Sequence, residues 1–205
     1  MSKFKWPKHS ILAIAVIATW IKTVIVYRTS FDMDVENAMQ MLILIINPLS
    51  FLLFFYGVSL FFKSQKYRNR YIVGGSVLLA FVIYGNVGFY RFYDDFVTLP
   101  VLFQTSNFGE LGTSAAAIIS WVDLLYFTDV LLVLLAVKFL PKLQDQSPVR
   151  KDARKAYFVL AAAMLFLNLG LAETERPQLL TRAFDRELLV KNIGTYNYHL
   201  YDVYV

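Results

Sequence analysis

The chain has 205 residues, of which 58% are hydrophobic and 17% are charged, and its formal net charge is +5. A soluble domain is typically about half apolar and about a quarter charged, so this composition argues against an ordinary soluble domain. The sequence contains no cysteine, which excludes a disulfide framework and any thiolate metal site.

Five long apolar runs predict an all-α polytopic membrane protein, because about 18 or more consecutive apolar residues are typical of a transmembrane helix. The predicted spans are 10–27, 39–62, 71–90, 115–140 and 156–172. The first run is interpreted as an uncleaved span, since no small-residue cleavage site follows it. We therefore expect a five-helix transmembrane domain over residues 1–172 and an extracellular juxtamembrane linker over residues 173–205.

The distribution of positive charge predicts the orientation of the chain in the membrane. Lysines and arginines cluster before the first predicted span and in the loops after the second and fourth, and they are sparser in the other loops. Short loops rich in these residues stay in the cytoplasm. The N-terminus is therefore expected inside and the tail outside. The basic clusters are split among separate short loops, so nucleic-acid binding is not expected.

After the last predicted span, the tail has the pattern of an amphipathic helix at the outer surface. Pro177 suits the first turn of a helix, and apolar residues recur every four positions from Leu180 to Leu188. Asn192 or Gly194 can end this helix after about four turns. Two roles are compatible with the pattern: packing on the bundle to orient whatever follows, or binding lipid phosphate through its arginines.

Lys22, Asp123 and Asp129 fall inside predicted spans, where charges are costly and usually have partners. At 1.5 Å per residue, Lys22 lies about 9 Å along its helix from Arg28, and Asp129 lies about 12 Å from Trp121. Lys22 and an aspartate of the fourth span can therefore reach a similar depth. We predict that Lys22 contacts Asp129 or Asp123; the alternative is that Lys22 extends to the outer interface.

The remaining polar residues of the spans indicate packing and not catalysis. Asn47, Asn86 and Asn168 are single polar groups, typical of hydrogen bonds between transmembrane helices. His9 and His199 are isolated, so no metal motif is predicted. No serine or threonine has a histidine or lysine placed to activate it, and no catalytic residue is predicted.

A charged group follows the third predicted span on the outer side. Arg91 and Asp94 are three residues apart and can pair on a helix. Two adjacent carboxylates, Asp94 and Asp95, offer too few ligands for a divalent cation. We therefore interpret both aspartates as a structural clamp to the arginines of the tail.

Two stretches resemble the lipoteichoic acid synthase family of Gram-positive bacteria: YGNVGFYRFYDDF at 84–96 and AETERPQLLTR at 172–182. The sequences WIKT at 20–23 and NP at 47–48 fit the same family, and the resemblance covers the whole chain. It implies five spans, an outer linker helix and an extracellular sulfatase-like domain with a threonine nucleophile and a manganese ion. Such an enzyme transfers glycerol phosphate from phosphatidylglycerol to a polymer on a glycolipid anchor.

No residue of this sequence matches the nucleophile or the metal ligands of that catalytic domain, so no cofactor is expected in this chain. What the resemblance carries over is the membrane anchor and the linker. The expected partners are phosphatidylglycerol, the glycolipid anchor, the catalytic domain and other cell-envelope membrane proteins, at the plasma membrane of a Gram-positive bacterium. Four arginines are predicted to form a lipid-headgroup patch: Arg91, Arg176, Arg182 and Arg186.

Two other functions compete with this interpretation. A lipid-translocating or transport protein would use Lys22, Asp123 and Asp129, and it predicts a cavity through the bundle. A membrane-protein interaction module would bind partner proteins without a specific lipid, and its function would depend little on the charges of the tail.

Overall fold

The computed structural model describes residues 10–98, 100–101, 120–140, 149–182 and 185–204, and every regular element within these ranges is helical. The helices are α1 Ser10–Thr29, α2 Ala38–Gly57, α3 Gln65–Tyr93, α4 Thr128–Phe139, α5 Lys151–Glu175, α6 Leu179–Arg182, α7 Arg186–Ile193 and α8 Thr195–Tyr204. The segment Val58–Phe61 extends α2 as a 3-10 helix, and a second 3-10 helix, Trp121–Phe127, precedes α4.

Four helices are long and apolar enough to cross a membrane, and they correspond to the first, second, third and fifth predicted spans. They are Ser10–Thr29, Ala38–Phe61, Gln65–Tyr93 and Lys151–Glu175. The protein is therefore an all-α polytopic membrane domain. Two of these helices begin five or six residues earlier than predicted, since charged residues continue the helix beyond the apolar run.

The predicted fourth span differs in character from the other four. Residues 115–119 lie outside the described residues, and the rest forms the 7-residue segment Trp121–Phe127 and the 12-residue helix α4. With rises of about 2.0 and 1.5 Å per residue, the two together extend about 32 Å, close to the thickness of the hydrocarbon core. The change from 3-10 to α geometry explains why no single long helix is present there.

The helices α1 and α2 lie at the centre of the bundle. α1 contacts α2, α3 and α4, whereas α2 contacts α1, α5, α7 and α8. Ala15, Leu44 and Ile83 belong to the buried apolar core between these helices. The outward faces carry exposed apolar side chains such as Val159 and Phe166 of α5, as expected where a helix meets lipid.

The tail forms separate short helices instead of the predicted continuous amphipathic helix. Asp185 begins α7, because its side chain accepts a hydrogen bond of 3.1 Å from the backbone N–H of Leu188. Gly194 ends α7 with a φ of +86°, a conformation that favours glycine, and α8 starts at the next residue. We call residues 186–204 the docked tail.

The middle of the docked tail is buried against the bundle, whereas its two ends are exposed. Leu189, Val190 and Ile193 are buried, although the sequence pattern placed this apolar face at the membrane interface. Gly194 packs against Asn47, the tenth residue of α2, and so lies about 14 Å along that helix from Ala38. The physical reason is that a buried bundle surface removes these apolar side chains from both water and headgroups.

Replacing Gly194 with Ala should destabilise the domain by about 1–3 kcal/mol. A Cβ atom there would lie 2.8 Å from Asn47 Oδ1, and the φ of +86° is strained for any side chain. The matched control is Gly170→Ala in α5, where an added Cβ meets nothing within 4 Å. Thermal unfolding in detergent would measure both variants, and equal melting temperatures would contradict the packing described here.

Candidate functional site: the docking of the tail on the bundle

The break between α7 and α8 leaves backbone groups that need partners. Asn47 Nδ2 donates to the carbonyl of Lys191 at 2.9 Å, and Asn168 Nδ2 donates to the carbonyl of Asn192 at 2.9 Å. The hydroxyl oxygen of Tyr27 accepts from the N–H of Thr195 at 2.9 Å. Groups of this kind at helix ends lack partners within the helix. Three spans, α1, α2 and α5, thus supply the missing partners.

Further side-chain hydrogen bonds hold the tail on both sides of the break between α7 and α8. Asn86 Nδ2 lies 2.7 Å from His199 Nε2, and Asn197 Nδ2 donates to Ser50 Oγ at 2.7 Å. The hydroxyls of Thr23 and a tail tyrosine, Tyr196, lie 3.1 Å apart. Together with the backbone contacts, these bonds place polar partners on α1, α2, α3 and α5 around the docked tail.

The three asparagines predicted to make helix–helix hydrogen bonds each contact the tail as well. Asn168 also makes a bond of the predicted kind, because its Oδ1 accepts from Ser50 Oγ of α2 at 3.4 Å. Sequence reasoning missed this target because it treated the spans and the tail as separate regions. The sequence did contain a signal for this contact, because one asparagine occurs in each of three predicted spans and a glycine occurs in the tail. The three asparagines, all buried, are Asn47, Asn86 and Asn168.

Burial shifts the pKa values of three groups of the docked tail towards their uncharged forms. It raises the pKa of Tyr196 well above its usual value, and it lowers the pKa of His199, with Asp202 opposing that shift. Burial also raises the pKa of Glu187, and the neighbouring Asp185 adds to the effect. A docked tail of this kind is therefore adapted to packing and not to proton transfer with solvent.

A buried ion pair joins α1 to α4. Lys22 Nζ lies 2.8 Å from Asp129 Oδ2, and the two side chains are 6% and 0% exposed. The predicted contact between Lys22 and Asp129 is therefore present, and Lys22 does not extend to the interface. Thr19 donates to the same carboxylate oxygen at 3.0 Å and lies 2.9 Å from the hydroxyl of Tyr56. The pair is thus part of a wider hydrogen-bonded group.

A second ion pair joins α3 to the 3-10 segment. Arg91 Nη2 and Nη1 donate to the two carboxylate oxygens of Asp123 at 2.8 and 3.2 Å. The predicted pairing of Arg91 with Asp94 is absent, because α3 ends at Tyr93 and Asp94 adopts a left-handed conformation with φ 51°. Asp123 therefore forms its ion pair with Arg91, whereas Lys22 pairs with Asp129.

The chain after α3 is tied to the docked tail. Asp95 forms an ion pair with Arg186, and both side chains are partly exposed. One of the two aspartates of the predicted clamp therefore contacts a tail arginine, whereas Asp94 forms no ion pair among the described residues. Arg176 is exposed. The side chain of Arg182 lies outside the described residues, so the predicted lipid-headgroup patch stays a prediction.

Comparison with known proteins assigns the chain to a family. Residues 1–205 match the model of the Lipoteichoic acid synthase N-terminal domain. The chain belongs to this family. It is 40% identical over 194 residues to Lipoteichoic acid synthase 2 and 38% identical over 202 residues to Lipoteichoic acid synthase 1, both of Bacillus subtilis (strain 168). It is 39% identical over 189 residues to the Lipoteichoic acid synthase of Staphylococcus aureus (strain USA300).

These alignments cover 92%, 98% and 92% of this chain but only 29%, 31% and 29% of the relatives. The chain therefore spans about three tenths of the length of the curated relatives it matches. No solved structure matches it. The chain is the membrane domain of a lipoteichoic acid synthase-like protein, located in a Gram-positive cell membrane.

The manganese ion that the family resemblance implies belongs to the extracellular catalytic domain and not to this chain. Among the described residues, no group of three or more His, Cys, Asp or Glu side chains could hold a metal. The hydrogen bonds that dock the tail hold a polar, broken helical segment in a fixed position at membrane depth.

Replacing Lys22 with Met should cost about 3 kcal/mol or more, because Asp129 is left as an uncompensated buried charge. The double variant Lys22→Met/Asp129→Asn removes both charges and should recover most of that loss. A thermal-unfolding double-mutant cycle in detergent would measure the coupling. If the single and double variants were equally destabilised, the two side chains would not be energetically paired.

Lowering the pH should loosen the tail through His199. Asn86 Oδ1 accepts from the N–H of Val97, so Asn86 Nδ2 faces His199 Nε2, which must accept. The pKa of His199 is lowered by burial, so its contribution to stability is complete above the unfolded pKa of about 6.5 and is lost as the pH falls towards the folded pKa.

The measurement is the melting temperature from pH 8 to pH 5 beside the variant His199→Gln, which is uncharged throughout. The wild-type protein should lose more stability than the variant over that interval. A pH dependence that is identical in the two proteins would assign the effect to other groups.

Proposed function

We propose that this domain anchors a lipoteichoic acid synthase-like enzyme and sets the orientation of an extracellular catalytic domain that follows the tail. The observation that carries the proposal is the docked tail. Hydrogen bonds from four spans hold residues 186–204, so the chain leaves Tyr204 at a position defined by the bundle. A flexible tether would leave the position of Tyr204 undefined.

The charge distribution supports a cytoplasmic N-terminus and an extracellular tail. The loop before α3 and the first turns of α3 and α5 lie at one end of the bundle, where Arg154 contacts Phe61, whereas the opposite end of α3 leads to Asp95, which pairs with Arg186 of the docked tail. The loop and the first turns are rich in Lys and Arg, as expected for cytoplasmic loops. They carry Lys63, Lys66, Arg68, Arg70, Lys151, Arg154 and Lys155.

The expected donor is phosphatidylglycerol and the expected product is a glycerol phosphate polymer on a glycolipid anchor. Both substrates present their reacting groups at headgroup height. A catalytic domain held close to that surface by a fixed segment gains effective concentration without any new contact. Other cell-envelope membrane proteins are a further proposed partner class, for which the exposed apolar face of α5 is a candidate surface.

The outer arginines are proposed to contact lipid headgroups. Arg176 is exposed and forms no ion pair among the described residues, which supports a phosphate contact there. Arg91 and Arg186 already hold carboxylates, so their contribution would use the guanidinium donors that remain. Arg182 completes the proposed set.

The competing function of a lipid-translocating or transport protein receives less support. It predicts a polar path through the bundle that includes Lys22 and Asp129, yet both side chains are enclosed and bonded to each other. Movement of fluorescent lipid between leaflets of reconstituted vesicles would support that function over the present proposal.

The proposal is tested by releasing the tail in the full-length protein. Asn47→Ala combined with Asn168→Ala removes two side chains that satisfy tail carbonyls, and the matched control is Asn69→Ala, which bonds Gln65 within α3. A spin label at Tyr204→Cys reports mobility, since Tyr204 is 89% exposed and this chain has no other cysteine.

The double variant should show a mobile label and at least about tenfold slower polymer synthesis from phosphatidylglycerol vesicles, the rate change for about 1.4 kcal/mol of lost positioning. The control should show neither change. A mobile label with full synthesis would show that orientation by the tail is not required, and the proposal would fail.

A further inference from the structure

A long apolar groove runs along α3 on the side that faces α8. Its volume is about 700 Å³, and its lining extends on α3 from Leu78 to Tyr93. That distance is about 22 Å at 1.5 Å per residue, more than half the thickness of the hydrocarbon core. Phe51 of α2 also lines the groove, together with Leu200 and Val203 of α8.

Two glycines leave the floor of the groove open. Gly85 and Gly88 are three residues apart and therefore lie on the same side of α3. A Cβ added at either position would meet no atom within 4 Å. The groove therefore reaches the backbone of α3, which gives a smooth channel for a narrow chain.

The tail-side end of the groove is polar. Arg91 lines it and is 32% exposed, and among the described residues its hydrogen bonds go to the two oxygens of Asp123 and to the hydroxyl of Tyr126. A guanidinium has five N–H donors, so these three bonds leave two donors for a further acceptor. A long apolar groove with a guanidinium at one end is complementary to an acyl chain with a phosphate headgroup.

The polar end of the groove favours a narrow chain with a charged headgroup as its occupant. A helix with its side chains is about 10 Å in diameter. An acyl chain is much thinner, and the volume falls in the usual range for small-molecule sites, about 300–1,000 Å³.

We propose that the groove is a binding site for one membrane phospholipid, with an acyl chain over Gly85 and Gly88 and the phosphate at Arg91. This inference deepens the proposed headgroup contact of Arg91 and rests on it for the phosphate, and it adds a site for the acyl chain of a single lipid molecule. The bound lipid fills the space between α3 and α8 and so completes the wall against which α8 packs.

The test uses the full-length protein reconstituted in vesicles of phosphatidylglycerol and phosphatidylethanolamine, and then washed in mild detergent. Native mass spectrometry counts the phospholipid that remains. Gly88→Leu fills the groove, and Gly74→Leu is the matched control, since Gly74 lies on the same helix, has open space around its Cβ and does not line the groove. Both substitutions raise helix propensity equally.

We expect one retained phospholipid in the wild-type protein and in Gly74→Leu, and at least a tenfold loss of retention in Gly88→Leu. A phospholipid with a photoreactive acyl chain should crosslink to α3 or α8 in the first two proteins. Equal retention in Gly88→Leu, or crosslinks confined to other helices or to a second protein chain, would overturn the proposal.

The spin label at Tyr204→Cys separates this inference from the proposed function. In Gly88→Leu the label should stay as immobile as in the wild-type protein, because none of the bonds that dock the tail involves Gly88. Lost lipid with an immobile label supports the groove as a site of its own. Lost lipid with a mobile label would mean that the lipid was retained only through the docking of the tail, and the separate site would be rejected.

Discussion

Backbone polar groups at membrane depth have no water to bond to, and this constraint governs the centre of the domain. The helical hydrogen bonding of the tail is interrupted at Gly194, about halfway along α2. Such an interruption is tolerated only where protein supplies the missing partners. Asn47, Asn168 and Tyr27 do so from three different spans. The relative positions of α1, α2 and α5 are therefore tied to one point of the tail.

The two sides of the bundle are held by different interactions. On the side of α4, charge dominates: Lys22 pairs with Asp129 and Arg91 pairs with Asp123. On the side of α5, that helix packs closely against α2, and the side-chain amide of Asn168 donates a hydrogen bond to the tail. Since buried ion pairs add little net stability, their value here lies in fixing which helix faces which.

The spans could be predicted from the sequence because their cause is local: each needs only enough consecutive apolar residues. The contact of Lys22 with Asp129 was also predictable, since depth along two helices follows from residue number alone. The pairing of Arg91 was not, because it depends on where α3 ends. A helix one turn longer would have kept Asp94 on the same face as Arg91.

The fold of the tail was predicted less well than the spans, and again the cause is where a helix begins or ends. Apolar residues at four-residue intervals describe a continuous helix only if nothing interrupts them, and Asp185 does interrupt them, whereas Gly194 ends the helix as predicted. Both residues are recognisable helix boundaries, so shorter helices could have been predicted. Their burial could not, because the amphipathic pattern of a helix on a membrane surface and of one packed in a bundle is the same.

The contacts of the tail also impose an order on assembly. Until residues 191–199 are in place, Asn47, Asn86 and Asn168 lack the hydrogen bonds that the tail provides. The hydrogen bonding of the bundle is therefore completed only after these late residues of the chain have been made.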